Sequence, residues 1–249
     1  PVTPAPPPAP PNIPAPMEFA TVDTSAQLRR ALTSAAPGEI VKLYLPPGRT
    51  YELSGEELRV DSSRDVSLFS TGDGATIDAM GQSRAFLVRH AGSALRLRHI
   101  HIQRGIARNA VGGAILAEEN STIELTGCTI AHCASISWAN NREACGGALF
   151  VSGYSNASLT DCVLHNATAR TYGPDAMALG GTVLGRDHAL VTMANVTISH
   201  GSVHSELNRA AGAAWVMEGF STIVFTDSRI TYANAWARLS ALGGATAHY

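Results

Sequence analysis

Apolar and polar residues alternate in short runs from Ile40 onward, with Ile40–Leu45, Thr50–Leu53, Leu58–Val60 and Val66–Phe69 the first of them. Pro46-Pro47-Gly48 and Ser70–Gly74 separate the runs. A period of two bounded by turn residues predicts short, half-buried strands. Before them Thr24-Ser25-Ala26-Gln27 has the form of a capping box, with Thr24 at the N-cap and Gln27 at N3. Leu28 and Leu32 lie one turn apart and Pro37-Gly38 supplies a stop, so the pattern predicts a helix over Ser25–Ala36.

The remainder is a repeat. Gly112-Gly113-Ala114-Ile115, Gly146-Gly147-Ala148-Leu149, Gly180-Gly181-Thr182-Val183, Gly212-Ala213-Ala214-Trp215 and Gly243-Gly244-Ala245-Thr246 follow at spacings of 34, 34, 32 and 31 residues. Eleven residues after the first glycine of each of the first four copies a second pattern begins: IELTGCTI, ASLTDCVL, VTMANVTI and IVFTDSRI. Leu95–Ile102 is an earlier copy without the glycines. Aligned, the copies give apolar columns: Leu97, Leu125, Leu159, Met193 and Phe225 in one, and Ile100, Cys128, Cys162, Val196 and Ser228 in another. Within each copy the alternation slips by one residue at His99, Gly127, Asp161, Asn195 and Asp227. Mostly these are residue types that tolerate left-handed backbone, as two strands meeting at a corner require. No apolar stripe of period 3.6 is present, and paired glycines would break helices, so a helical solenoid is excluded. Like residues at a fixed offset every ~33 residues indicate stacked rungs. The chain therefore reads as an all-β, right-handed parallel β-helix solenoid with a short N-terminal capping helix and a Pro-rich N-terminal tail.

Composition sharpens this picture. Residues 1–17 form a Pro-rich extended segment, with nine of the thirteen prolines in Pro1–Pro16, and 18–249 is the β-helix domain. The chain begins with Pro, which suggests a processed form or a fragment. It stops one strand into a new rung, so the native protein is expected to continue beyond 249. With 18 basic and 20 acidic residues the net charge is −2, against the footprint of a nucleic-acid binder. No apolar run approaches the ~20 residues of a membrane-spanning helix. Sequons at Asn120, Asn156, Asn166 and Asn195 point to N-glycosylation and to an extracellular or cell-surface location.

The repeats GGAILAEENSTIELTGCTI and GGALFVSGYSNASLTDCVL, with the opening LYLPPGRTYEL and TGDGATIDA, resemble the right-handed parallel β-helix (pectin-lyase-like) superfamily. They are similar to the GGAI-containing repeats of polymorphic outer-membrane-type and other surface β-helix proteins. The resemblance covers about residues 18–249. It implies the fold, and a function drawn from lyases, hydrolases, adhesins or structural spacers.

Candidate chemistry is sparse. Asp161 and Asp227 share the corner column two rungs apart with Asn195 between them, an arrangement that turn chemistry accounts for. Asp73 and Asp78 read as a Gly-Asp turn between strands. His99, His101, His132 and His200 read as corner or surface residues. No catalytic residue, metal site or cofactor is assigned. Cys133 and Cys145 flank the segment Ala134–Ala144, read as a projecting loop like Ala167–Leu179, and a disulfide closing it is expected. Cys128 and Cys162 stack in one inward column, either bridged or packing as thiols. Trp215 falls in a core column with Ile115, Leu149 and Val183, while Trp138 and Trp236 are candidates for partner contact. The expected function is a non-enzymatic extracellular structural or recognition glycoprotein module. In it a rigid rod assembles with protein partners or adheres, glycans being further partners. A polysaccharide lyase or glycoside hydrolase of the same fold is one alternative, and a glycan-binding module the other.

Overall fold

A computed structural model describes residues 19–238 and 240–242. The Pro-rich segment and the Gly243-Gly244 copy lie outside the described residues. The chain coils into a parallel β-solenoid of about six turns, with one helix. All strand pairs are parallel, and they form five sheets, named here I to V in the order in which a full rung visits them. For the rung starting at Thr122 the visits are Thr122–Thr126 (I), Thr129–Ala131 (II), Ala134–Ser137 (III), Ala144–Cys145 (IV) and Leu149–Ser152 (V).

The register stacks like on like. Leu97 pairs with Leu125, Leu125 with Leu159, Leu159 with Met193, and Met193 with Phe225. Alternation places every second side chain inside, and sheets I, II and V close around one aliphatic core. The slip residue between sheets I and II is left-handed in all five copies: His99, Gly127, Asp161, Asn195 and Asp227 have φ between 51° and 60°. A second left-handed column, Arg104, His132, Asn166, His200 and Tyr232, turns the chain from sheet II into sheet III.

The helix α1 (Ser25–Ser34) covers the first rung with Leu28 and Leu32. Its capping box forms: the Gln27 amide donates to Thr24 Oγ1 at 3.2 Å, and Thr24 N donates to Gln27 Oε1 at 3.2 Å. Arg29 fastens it by donating to the carbonyls of Leu53 (2.9 Å) and Glu56 (2.7 Å). Tyr51, fully buried, donates its hydroxyl to Val22 O at 2.5 Å.

Segments read as projecting loops prove to be regular structure. Ala134–Ser137 and Ala144–Cys145, then Thr168–Thr171 and Ala178–Leu179, belong to sheets III and IV, which form a side lobe. The lobe is thin, and its interior is a ladder of small residues including Ala144, Ala169, Ala178, Val203 and Ala210. Sheet IV also covers the outer surface of sheet V, where Leu116, Phe150, Leu184 and Val216 meet Cys145, Leu179 and Ala211 in a second core.

This arrangement separates Cys133 from Cys145, and all four cysteines are free. Cys133 faces the main core, where its thiol donates to Ala131 O at 3.2 Å and accepts from Gly105 N at 3.3 Å. Cys145 faces the second core. The expected bridge between them therefore does not form. Burial pushes the Cys133 thiol up to about 12 and the Cys145 thiol well above its usual value.

Candidate functional site

The outward face of sheet III gathers the most distinctive side chains. Its strands run from Ile106–Arg108 through Ala134–Ser137, Thr168–Thr171 and Ser202–Ser205 to Asn234–Ala237. Alternation turns Ser135, Ala169 and Val203 inward. It leaves Arg108, Ile136, Arg170, His204 and Trp236 in one outward column, each paired with the next. Just beyond the strand ends sit Trp138, Tyr172 and Glu206.

These residues stack along the solenoid axis. The Trp138 and Tyr172 rings are parallel within 1° at 5.8 Å. The Arg108 guanidinium lies 5.8 Å from the Trp138 centroid and that of Arg170 lies 4.5 Å from Tyr172. His204 stacks on Trp236 at 4.2 Å. Arg170 also pairs with Glu206 at 3.2 Å. Trp138 is 46% exposed and Trp236 52%. Burial and the neighbouring Arg170 charge hold His204 below the usual imidazole range, with Glu206 opposing in part. Because each stacked ring offers a face to its neighbour, it offers its edge to solvent. Aromatic edges carry the positive end of the ring quadrupole. Arg108 and Arg170 set guanidinium groups among these edges, with the Glu206 carboxylate paired to Arg170, so the strip keeps a net positive charge suited to an anionic, acceptor-rich ligand laid along the axis.

Other candidate residues are scattered. The sequon asparagines Asn120, Asn156, Asn166 and Asn195 are all exposed, on different edges of the solenoid. Asn195 Nδ2 donates to Asp161 Oδ1 at 2.7 Å, so that column is tied together by its own hydrogen bond. His132 meets His165 edge-on at 5.2 Å and His200 stacks on Tyr232 at 4.9 Å, both at the corner between sheets II and III. Burial and the charges of His132 and His200 lower the His165 value. Among the described residues no group of three or more His, Cys, Asp or Glu is placed to hold a metal ion. No helix among them is long and apolar enough to cross a membrane.

Two residues depart from their expected setting. Asp78 is not in a turn. It ends the strand Ala75–Asp78, is 1% exposed, and accepts from Met80 N (2.8 Å), Gln103 Nε2 (2.6 Å) and Arg104 Nε (2.9 Å). Trp215 takes its core column beside Val183 but stays half-buried, packing on Phe225 at 5.9 Å. The role of Arg108, Arg170 and Tyr172 is absent from the sequence reading above. The signal that could have found Arg108 and Arg170 is the outward column itself, one residue on from the inward Ala107 and Ala169, with Tyr172 two residues further on.

A surface depression of about 460 Å³ lies between α1 and the Gly55–Arg59 segment. Its walls carry Arg29, Glu56, Glu57 and Arg59, tied up in ion pairs of Arg29 with Glu56 (3.5 Å) and of Arg59 and Arg84 with Glu57 (3.2 and 2.7 Å).

No protein-family model matches the chain, and a search of curated proteins returns no match. Among solved structures the chain is similar to one titled "Structure of PL6 family alginate lyase AlyGC", at 13% identity and a TM-score of 0.42. The match covers 93% of this chain but only 41% of that one.

Proposed function

We propose that this chain is a rigid structural and recognition module of an extracellular or cell-surface assembly, and that it holds an acidic glycan along the outer face of sheet III. The supporting observation is the Arg108–Trp138 and Arg170–Tyr172 stacks, which set guanidinium groups and aromatic rings along one outward face in successive rungs. A linear polysaccharide lying along the axis would pass one rung about every ~4.8 Å, close to the length of one sugar unit. Arginine suits carboxylate or sulfate groups through its planar fork of donors. The rod supplies the spacing, because parallel stacking fixes neighbouring side chains at one height per rung. The exposed sequons are compatible with such a location and would keep other edges of the solenoid soluble.

The test is direct binding of the full chain to a polyuronate and to a neutral glucan. We expect the polyuronate to bind in preference, with affinity falling as salt rises. Replacing Arg108 and Arg170 together with Gln should weaken it by about tenfold or more. Equal binding of both polymers, or an unchanged affinity in the double variant, overturns the glycan assignment. Following the same mixtures for new reducing or unsaturated ends decides the lyase and hydrolase alternatives.

A further inference from the structure

The aliphatic column that runs through the start of sheet II contains Ile100, Cys128, Cys162 and Val196 in successive rungs. Thr129 pairs with Val163, and Val163 N donates to Cys128 O at 2.9 Å, so the two cysteines occupy the same position one rung apart. Both are 2% exposed within the main core. The Cys162 thiol leans toward the rung below, where it meets Leu125 O at 3.6 Å, just ahead of Cys128. The Cys128 thiol meets Leu97 O at 3.4 Å in turn. A rung spacing of ~4.8 Å lies inside the ~4.4–6.8 Å Cα window of disulfides.

We propose that Cys128 and Cys162 are a thiol–disulfide modification site, oxidised by a low-molecular-weight or protein disulfide to a bridge that staples two adjacent rungs. One thiolate attacks the oxidant's disulfide and releases its first thiol. The partner cysteine then displaces the second thiol from the mixed disulfide. The S–S bond of the oxidant breaks, one forms between Cys128 and Cys162, and both protein hydrogens leave on the reduced products. No other pairing competes, since Cys133 looks into the core from the next corner and Cys145 belongs to the second core. The contact between the two thiols pushes Cys128 above its usual value and holds Cys162 below it, so Cys162 is the attacking thiolate, and the burial of both makes the reaction follow local opening. The proposal is independent of the glycan face: it needs only the register of sheet II.

The test uses the full chain incubated with glutathione disulfide at mildly alkaline pH, then alkylated and digested with trypsin. The expected product joins Asn109–Arg142, which carries Cys128 and an alkylated Cys133, to Glu143–Arg170, which carries Cys162 and an alkylated Cys145. That cross-link should vanish in Cys128→Ala and in Cys162→Ala, persist in Cys133→Ala and Cys145→Ala, and disappear on reduction. Persistence of the link in Cys128→Ala or Cys162→Ala overturns the assignment. So does recovery of four alkylatable thiols from folded wild-type protein after prolonged exposure.

Discussion

At the scale of single residues, the fold repeatedly explains a side chain that sequence reading assigned to another cause. Three of the four sequon asparagines, Asn120, Asn166 and Asn195, have φ between 52° and 59°. Asparagine is one of the few side chains at ease there. At the latter two the next residue points inward and the one after it, Thr168 or Thr197, returns to the outer strand surface. The Asn-x-Thr pattern thus follows from a corner entering a strand, whether or not a glycan is attached. Asp78 shows the opposite case, a buried acid hidden within what reads as a turn motif. Burial alone would raise its pKa, but hydrogen bonds from Arg104, Met80 N and Gln103 outweigh that and hold it below the ordinary carboxylate value. A lowered native value contributes stability above the unfolded pKa and loses it as pH falls through the native one. We therefore expect wild-type stability to decline below about pH 4, and Asp78→Asn to flatten that decline. At neutral pH the variant should lose about 1.5–3 kcal/mol, the worth of hydrogen bonds to a charged group. Urea unfolding at a series of pH values checks both.

At the scale of elements, what was legible depended on side-chain size. The inward columns of sheets I, II and V are Leu, Ile, Val and Met, so their alternation stands out and the rung period follows. Sheets III and IV enclose a narrow interior lined mostly by alanine and serine, and a run such as Ala134-Ser135-Ile136-Ser137 carries no strong alternation. That is why the side lobe read as loops. The glycine pairs have two separate reasons. The first of each described pair, Gly112, Gly146 and Gly180, takes left-handed backbone, Gly146 at φ 58°. The second sits at the neck where the lobe joins the prism: a Cβ on Gly147 would run into the backbone of Gly181 and Thr168. Gly147→Ala should therefore cost about 1–3 kcal/mol or more by overpacking, while also opening the lobe to exchange. Gly48→Ala gives a comparison, since a Cβ there meets nothing within 4 Å and only its φ of 72° opposes the change. Chemical denaturation of the two variants separates crowding from backbone strain. A smaller loss at position 147 than at position 48 would contradict the neck packing.

At the scale of the whole molecule, each rung touches only its neighbours, so stability is distributed along the axis. The middle rungs are buried on both sides, and burial falls off along the later described rungs. Ile223, Phe225 and Ile230 are only partly buried, although the residues they pair with, Val191, Met193 and Ile198, are buried. The first rung is different: α1 lies over it with Leu28 and Leu32, and Leu45 and Tyr51 behind them are fully buried. Among the described rungs, opening should therefore start at the less buried Ile223–Ile230 rung and move toward the helix. Amide exchange should be slowest in Leu95–Leu97, Ile123–Leu125 and Ala157–Leu159 and fastest in Ile223–Phe225, with Ile230→Ala costing less than the about 2–5 kcal/mol expected for Ile130→Ala. Uniform protection along the axis would mean that the rungs unfold as one unit. The proposed glycan face lies across this gradient: Trp138 and Tyr172 stand on central rungs and Trp236 on the last described one. A ligand bridging them would slow exchange in Asn234–Ala237 more than in Ala134–Ser137. That asymmetry is expected of a chain lying along the axis, and a ligand confined to one rung would not produce it.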